Sequence, residues 1–197
     1  MSSDPLIPGL HAVVLAGGES TRMGANKAEV RLDGRRLVDL SVGALEPLAG
    51  LVSVVSPVAL GVAAGRVREV SERPPFGGPV AGIAAALDET YPLTAVLTVD
   101  APHAAGALPA LAAGLDRAAG AGVCHVSGDP LCALWRTAAL SRALGELREV
   151  RDQPARRLLS RAFAAPVRGK NLEELARDYD SPGELEALGR VELPGRD

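Results

Sequence analysis

Aromatic side chains are scarce in this chain. They make up 3% of its 197 residues, although 47% of the residues are apolar. A chain of this length can bury a substantial core, but that core must be built from Ala, Val and Leu, which favours close packing of helices on a sheet. Cysteine is scarcer still. Cys124 and Cys132 are the only two, they form no CxxC, and both stand in apolar sequence. They read as buried thiols rather than metal ligands. His11, His103 and His125 show no ligand spacing, and no Ser-His-Asp or Cys-His arrangement is suggested. There is no excess of positive charge: 21 Lys and Arg face 24 Asp and Glu, a net charge of −3. Nucleic-acid binders usually carry a basic stripe, so the expected partners are small anionic substrates held at local basic sites, not nucleic acid. No apolar run approaches membrane-spanning length. Met1–Gly9 has neither the basic start nor the apolar centre of a secretory signal. A cytoplasmic protein with no membrane contact is the expectation.

What is present is alternation. Val-rich runs at His11–Ala16, Leu51–Ser56, Ala95–Val99 and Val123–Val126 barely switch between apolar and polar, as strands buried on both faces do. Between and after them, Val38–Leu48, Val80–Glu89, Leu108–Ala119 and Thr137–Arg148 have helical spacing. Pro47, Pro109, Pro154 and Pro182 stand where helices end or begin. Strand–helix alternation predicts an α/β, three-layer α/β/α sandwich with a mostly parallel sheet. No repeat is visible, so residues 1–197 read as one domain with its core at about 10–189. The first nine residues and Arg190–Asp197 are expected to fray. Ligands in such folds bind at the carboxyl ends of strands, and two unusual segments lie at such ends.

The first is LAGGESTRMGANK, Leu15 to Lys27. Gly17, Gly18 and Gly24 let backbone N–H groups approach an anion, and Arg22 and Lys27 can neutralise it. This is the chemistry of a polyphosphate cradle. It is neither a Walker loop nor a dinucleotide fingerprint, because their glycine and lysine spacings are absent. The second is Thr94–Pro102, where an apolar strand delivers Asp100 to its end. That carboxylate reads either as an Mg²⁺ ligand or as the cap of a following helix.

The thirteen-residue segment resembles the signature of the nucleoside-triphosphate transferases, and Asp100-Ala101-Pro102 resembles their D-x-P. Further segments resemble one branch of that superfamily, the molybdenum cofactor guanylyltransferases. These are Pro74–Ile83 with its GGPVAG core, Gly128–Arg136, the basic Arg156-Arg157-Leu158-Leu159, and Asp178–Leu185. The resemblance implies a Rossmann-like nucleotide-diphospho-sugar transferase fold. It also implies transfer of GMP from GTP to molybdopterin with release of pyrophosphate, Mg²⁺ as cofactor, and transient contacts with cofactor-receiving proteins.

Carried over residue by residue, Leu15, Ala16, Gly17, Gly18, Gly78, Pro79 and Gly82 would hold nucleotide. Arg22 and Lys27 would offset the charge of the leaving pyrophosphate, and Asp100 would hold the metal. Arg156 or Arg157, and Asp178 or Asp180, would meet the acceptor, with the two aspartates also open to the metal. Trp135 reads as core or as cleft lining. Ser181-Pro182 also reads as a plain helix start. Two departures stand out. Ala28-Glu29 follows Lys27 where the branch has small or apolar residues, and Arg73 stands where it has an acid that reads guanine. Glu72 would replace that acid only through a register shift. The alternatives are a transferase for another base or acceptor, such as a cytidylyltransferase, or a catalytically inactive binder on the same fold.

Overall fold

The structure, a computed structural model, describes residues 6–17 and 26–195. Its centre is a seven-stranded sheet of β1 (Leu10–Leu15), β4 (Leu51–Val55), β5 (Val67–Val70), β6 (Leu93–Thr98), β7 (Val123–Val126), β8 (Ala133–Arg136) and β9 (Ala164–Val167). The strand order is β5-β4-β1-β6-β8-β7-β9. Among these described strands only β8 runs antiparallel, between β6 and β7. The chain winds outward from β1 through β4 to β5, then returns to the other side of β1 as β6. This reversal opens a crevice beyond the carboxyl ends of β1 and β6, where open α/β sheets bind ligands.

All six residues of β1 are buried. Leu10, Ala12 and Val14 face one layer, containing α1 (Leu37–Leu45) and α3 (Leu108–Arg117). Val13 and Leu15 face the other, containing α2 (Gly78–Ala86) and α4 (Thr137–Gly145). The absence of alternation in the sequence is thus the mark of a strand with helices on both sides. Trp135 is 1% exposed, inside the α2/α4 core, which settles its place as core rather than cleft lining. Cys124 and Cys132 are buried free thiols, as expected.

Short elements complete the chain: the helices α5 (Arg156–Leu159), α6 (Lys170–Leu175) and α7 (Pro182–Leu185), and a small sheet of β2 (Arg31–Leu32), β3 (Arg35–Arg36) and β10 (Val191–Glu192). The expectation of a frayed tail from Arg190 fails at β10, which pairs antiparallel with β2. At the other end, the Leu6 and Ile7 N–H groups donate to the Pro47 and Leu48 carbonyls at 3.1 Å, so the chain is already tied down there. Among the described residues, no helix is long and apolar enough to cross a membrane.

Candidate active site

β1 and β6 lie side by side, and Val99 N–H donates to the Leu15 carbonyl, so both strands end at one level. Beyond them lies a cavity of about 460 Å³. Leu15, Ala16, Gly17, Lys27, Glu72, Gly78, Pro79 and Asp100 are among its lining residues. Gly17 is needed by close approach: a Cβ there would stand 3.1 Å from Pro57 Cδ. A second cavity of about 620 Å³ adjoins the first and shares Thr98, Asp100 and Leu131 with it. Asp129, Lys170, Arg177 and Asp178 are among its lining residues.

Lys27 is placed by a short 3-10 turn, Lys27–Glu29, which Asn26 caps by accepting from Ala28 N–H. Ala28 is fully buried and Glu29 accepts from Arg36 at 3.0 Å, so both residues that looked like departures anchor the turn. Lys27 Nζ donates to Asp100 Oδ2 and Asp180 Oδ1, each at 2.7 Å. Burial opposes the ammonium, but the hydrogen bonds and charges of Asp100 and Asp180 outweigh it and hold the Lys27 pKa above its usual value.

Asp100 does not cap the turn that follows. Its second oxygen, Oδ1, is buried with no hydrogen-bond partner among the described residues. An orphaned carboxylate oxygen lining a cavity of about 460 Å³ fits a hard cation. Asp180 sits beside it because Tyr179 N–H donates to the Asp100 carbonyl, while Ser181 and Glu184 form a capping box at the start of α7. The helix start and the Asp180 contact therefore coexist. Asp129, in the adjoining cavity, has its pKa raised by burial and by the charges of Asp178 and Asp100, against hydrogen bonds from Leu131 and Cys132 N–H.

The MobA-like NTP transferase domain matches residues 12–167. The chain belongs to that family. It is 34% identical over 174 residues to a probable molybdenum cofactor guanylyltransferase of Opitutus terrae, covering 85% of this chain and 84% of the relative. It is 37% identical over 107 residues to a molybdenum cofactor guanylyltransferase of Sinorhizobium fredii, covering 50% of this chain and 49% of that one. In fold it is similar to the crystal structure of molybdopterin-guanine dinucleotide biosynthesis protein A from Archaeoglobus fulgidus. That match has a TM-score of 0.68 at 21% identity and covers 90% of this chain and 95% of the other. The three-layer nucleotidyltransferase fold expected from the sequence is the fold observed, and the chain is an enzyme of that class.

In this MobA-like transferase, Leu15, Ala16, Gly17, Lys27, Gly78, Pro79 and Asp100 line one cavity. Gly18 and Arg22 lie outside the described residues. Other expected positions fall outside that lining. Gly82 does not line the cavity; it lies within α2, where a Cβ would stand 3.1 Å from both Glu72 Oε1 and Leu15 Cδ2. Its bare α-carbon makes room for those side chains. Arg156 and Arg157 are exposed on α5 and line neither cavity. Arg73 is also exposed, whereas Glu72 faces the cavity and accepts from Gly77 N–H at 2.5 Å.

No register shift is involved in placing Glu72. Arg68 reaches the α2 carbonyl of Ala86 and Val70 packs on the α2 core, so even-numbered residues leaving β5 point to α2. Odd-numbered Glu69 points the other way, accepting from Leu60 and Val62 N–H. The period of two starting at Val67 was the signal that could have found Glu72.

Proposed function

We propose that this protein transfers GMP from GTP to molybdopterin, releasing pyrophosphate. The observation that carries the reading is the meeting of two cavities at Asp100, one on the Lys27 side and one on the Asp129 side. The names of the relatives from Opitutus terrae and Sinorhizobium fredii support the same substrates.

In this reading an oxygen of the acceptor phosphate attacks the α-phosphorus, the bond from that phosphorus to the bridging oxygen breaks, and the electron pair leaves with pyrophosphate. The protein contributes position and charge. Lys27, with Arg22, takes the charge that gathers on the leaving oxygens. To do so Lys27 exchanges carboxylate partners for phosphate. Asp100 would hold Mg²⁺ through the orphaned Oδ1, with Asp180 beside it. Bound Mg²⁺ supplies positive charge to phosphates that otherwise face several carboxylates. Among the described residues no group of three or more His, Cys, Asp or Glu is arranged to hold a metal. The support here is for a site completed by phosphate and water, the usual habit of Mg²⁺.

Glu72, in the lining of the same cavity, would accept from the guanine N1–H and N2–H₂ groups. On that edge guanine offers a carboxylate two adjacent donors, whereas cytosine and adenine each offer one amino group beside an acceptor ring nitrogen that would repel it. Pyrophosphate release with molybdopterin and each of GTP, ATP and CTP tests the reading. GTP is expected to give the highest kcat/KM; a preference for CTP would replace guanylyl by cytidylyl transfer.

A further inference from the structure

Phe76 is one of two phenylalanines in the chain. It is 56% exposed and packs into neither hydrophobic core among the described residues. Its φ is +62°, a region that bulky side chains rarely enter. An apolar ring on an unfavourable backbone, facing water, has no stabilising role in the folded chain. It does line the first cavity, together with Glu72, Pro75 and Pro79.

The backbone on both sides of the ring is clamped from a distant segment. Arg151 Nη1 donates to the Pro74 carbonyl at 2.7 Å and Nη2 to the Pro75 carbonyl at 3.4 Å. Asp152 N–H donates to the Gly77 carbonyl at 2.7 Å. Glu72 closes the loop from inside through Gly77 N–H. The backbone flanking Phe76 is therefore held on both sides, and the exposed ring shares the lining of the cavity with Glu72.

We propose that Phe76 is a stacking platform for the nucleobase, and that Arg151 is a positioning residue for it. The inference rests on the reading of this cavity as a nucleotide site and adds a division of labour to it. Glu72 reads the edge of the base, whereas Phe76 covers its face. Stacking on an aromatic ring is tolerant of base identity because every base has a π-face. Phe76 thus supplies affinity, and Glu72 supplies selectivity.

The test is calorimetric binding of GTP, ITP, ATP and inorganic tripolyphosphate, with Mg²⁺. The proteins are wild type, Phe76→Ala, Phe76→Trp, Arg151→Ala and the double variant that combines Phe76→Ala with Arg151→Ala. Phe76→Ala is expected to weaken all three nucleotides by a similar factor, about tenfold, and to leave tripolyphosphate unchanged. Arg151→Ala should reproduce part of that base-dependent loss and add nothing in the double variant. Phe76→Trp should keep GTP affinity, and its fluorescence should be quenched by GTP but not by tripolyphosphate. Wild type, whose single Trp135 is buried, provides the unquenched control. Unchanged nucleotide affinity in Phe76→Ala overturns the proposal, as does an equal loss for tripolyphosphate, which would mean a collapsed loop. Stacking losses without a GTP-over-ATP preference in wild type would uphold Phe76 while removing the guanine reading. Failure of wild type to bind any nucleotide removes both.

Discussion

At Lys27 a single ammonium meets two carboxylates at 2.7 Å, and both oxygens belong to residues that a metal–nucleotide complex would occupy. Lys27→Ala should weaken GTP far more than guanosine, because what is lost is a point charge on phosphate. Calorimetry on both ligands checks this, and equal losses would make Lys27 structural. At the base end, Glu72→Gln should lower the GTP-over-ATP ratio in kcat/KM by roughly the value of one charge-assisted hydrogen bond, about 1.5–3 kcal/mol. Arg73→Asp should leave that ratio unchanged, since its side chain points to water. The opposite result would exchange the two roles.

His11 is buried with Nε2 against Ser53 Oγ, which also accepts from Arg68, while Nδ1 has no partner among the described residues. Burial, then the Arg68 charge, lowers its pKa to about 4, with Asp88 pulling the other way. The native imidazole stays neutral while the unfolded one gains a proton below about 6.5, so its share of stability is lost as pH falls from about 6.5 to 4. The stability advantage of wild type over His11→Asn should shrink by about 3 kcal/mol across that window. A constant gap in denaturant titrations would mean His11 titrates normally. Residue types and chemistry were legible at these positions: Lys27 and Asp100 could be read from their place after apolar strands. Which of Glu72 and Arg73 faces inward could be followed only by carrying the period of two from Val67 past the end of β5, and the Val67–Val70 run was not read as a strand from the sequence.

The central strands β1, β4, β6 and β7 announced themselves as apolar runs because helices cover both their faces. β5 and β9 did not, because they are the edges of the sheet. Val67-Arg68-Glu69-Val70 carries charges to its loops, and Pro166 sits in β9, where a strand tolerates a missing N–H. β8 is four residues long and antiparallel, so its pattern carried no βαβ signal. The helices end earlier than their apolar spacing suggested, at Leu45, Ala86 and Gly145. Packing of α3 on the far half of the sheet depends on Gly114, where a Cβ would stand 2.8 Å from Val167 Cγ2 and 3.3 Å from Cys124 Sγ. Gly114→Ala gains helix propensity of about 1 kcal/mol but overpacks against a stiff β-branched side chain, at about 1–3 kcal/mol. The expected outcome is a lower melting temperature, by about 2–4 °C for each net kcal/mol lost. Gly145→Ala, with nothing within 4 Å of its added Cβ, should show no loss. A stabilised Gly114→Ala would mean that α3 can withdraw from the sheet.

Across the chain the net charge is −3, and carboxylates outnumber cations in the lining of the two cavities. Polyphosphate bound there as proposed would need cations brought to it, Lys27 and Arg22 from the chain and Mg²⁺ from solution. Fold and family could be read from the sequence because they rest on local motifs and strand–helix alternation. The joining of two cavities at Asp100, and the clamp from Arg151 to the 74–77 loop, could not, because they bring together segments far apart in the chain. The central claim is that one protein surface joins GMP to molybdopterin across Asp100. Mass spectrometry of molybdopterin after incubation with the protein, GTP and Mg²⁺ tests it most directly. The expected result is a product heavier by one guanosine monophosphate unit, formed with one pyrophosphate released. Asp100→Asn should slow its formation on the order of a hundredfold or more. Unaltered molybdopterin with wild-type protein, or the same product formed at wild-type rate by Asp100→Asn, would contradict the account.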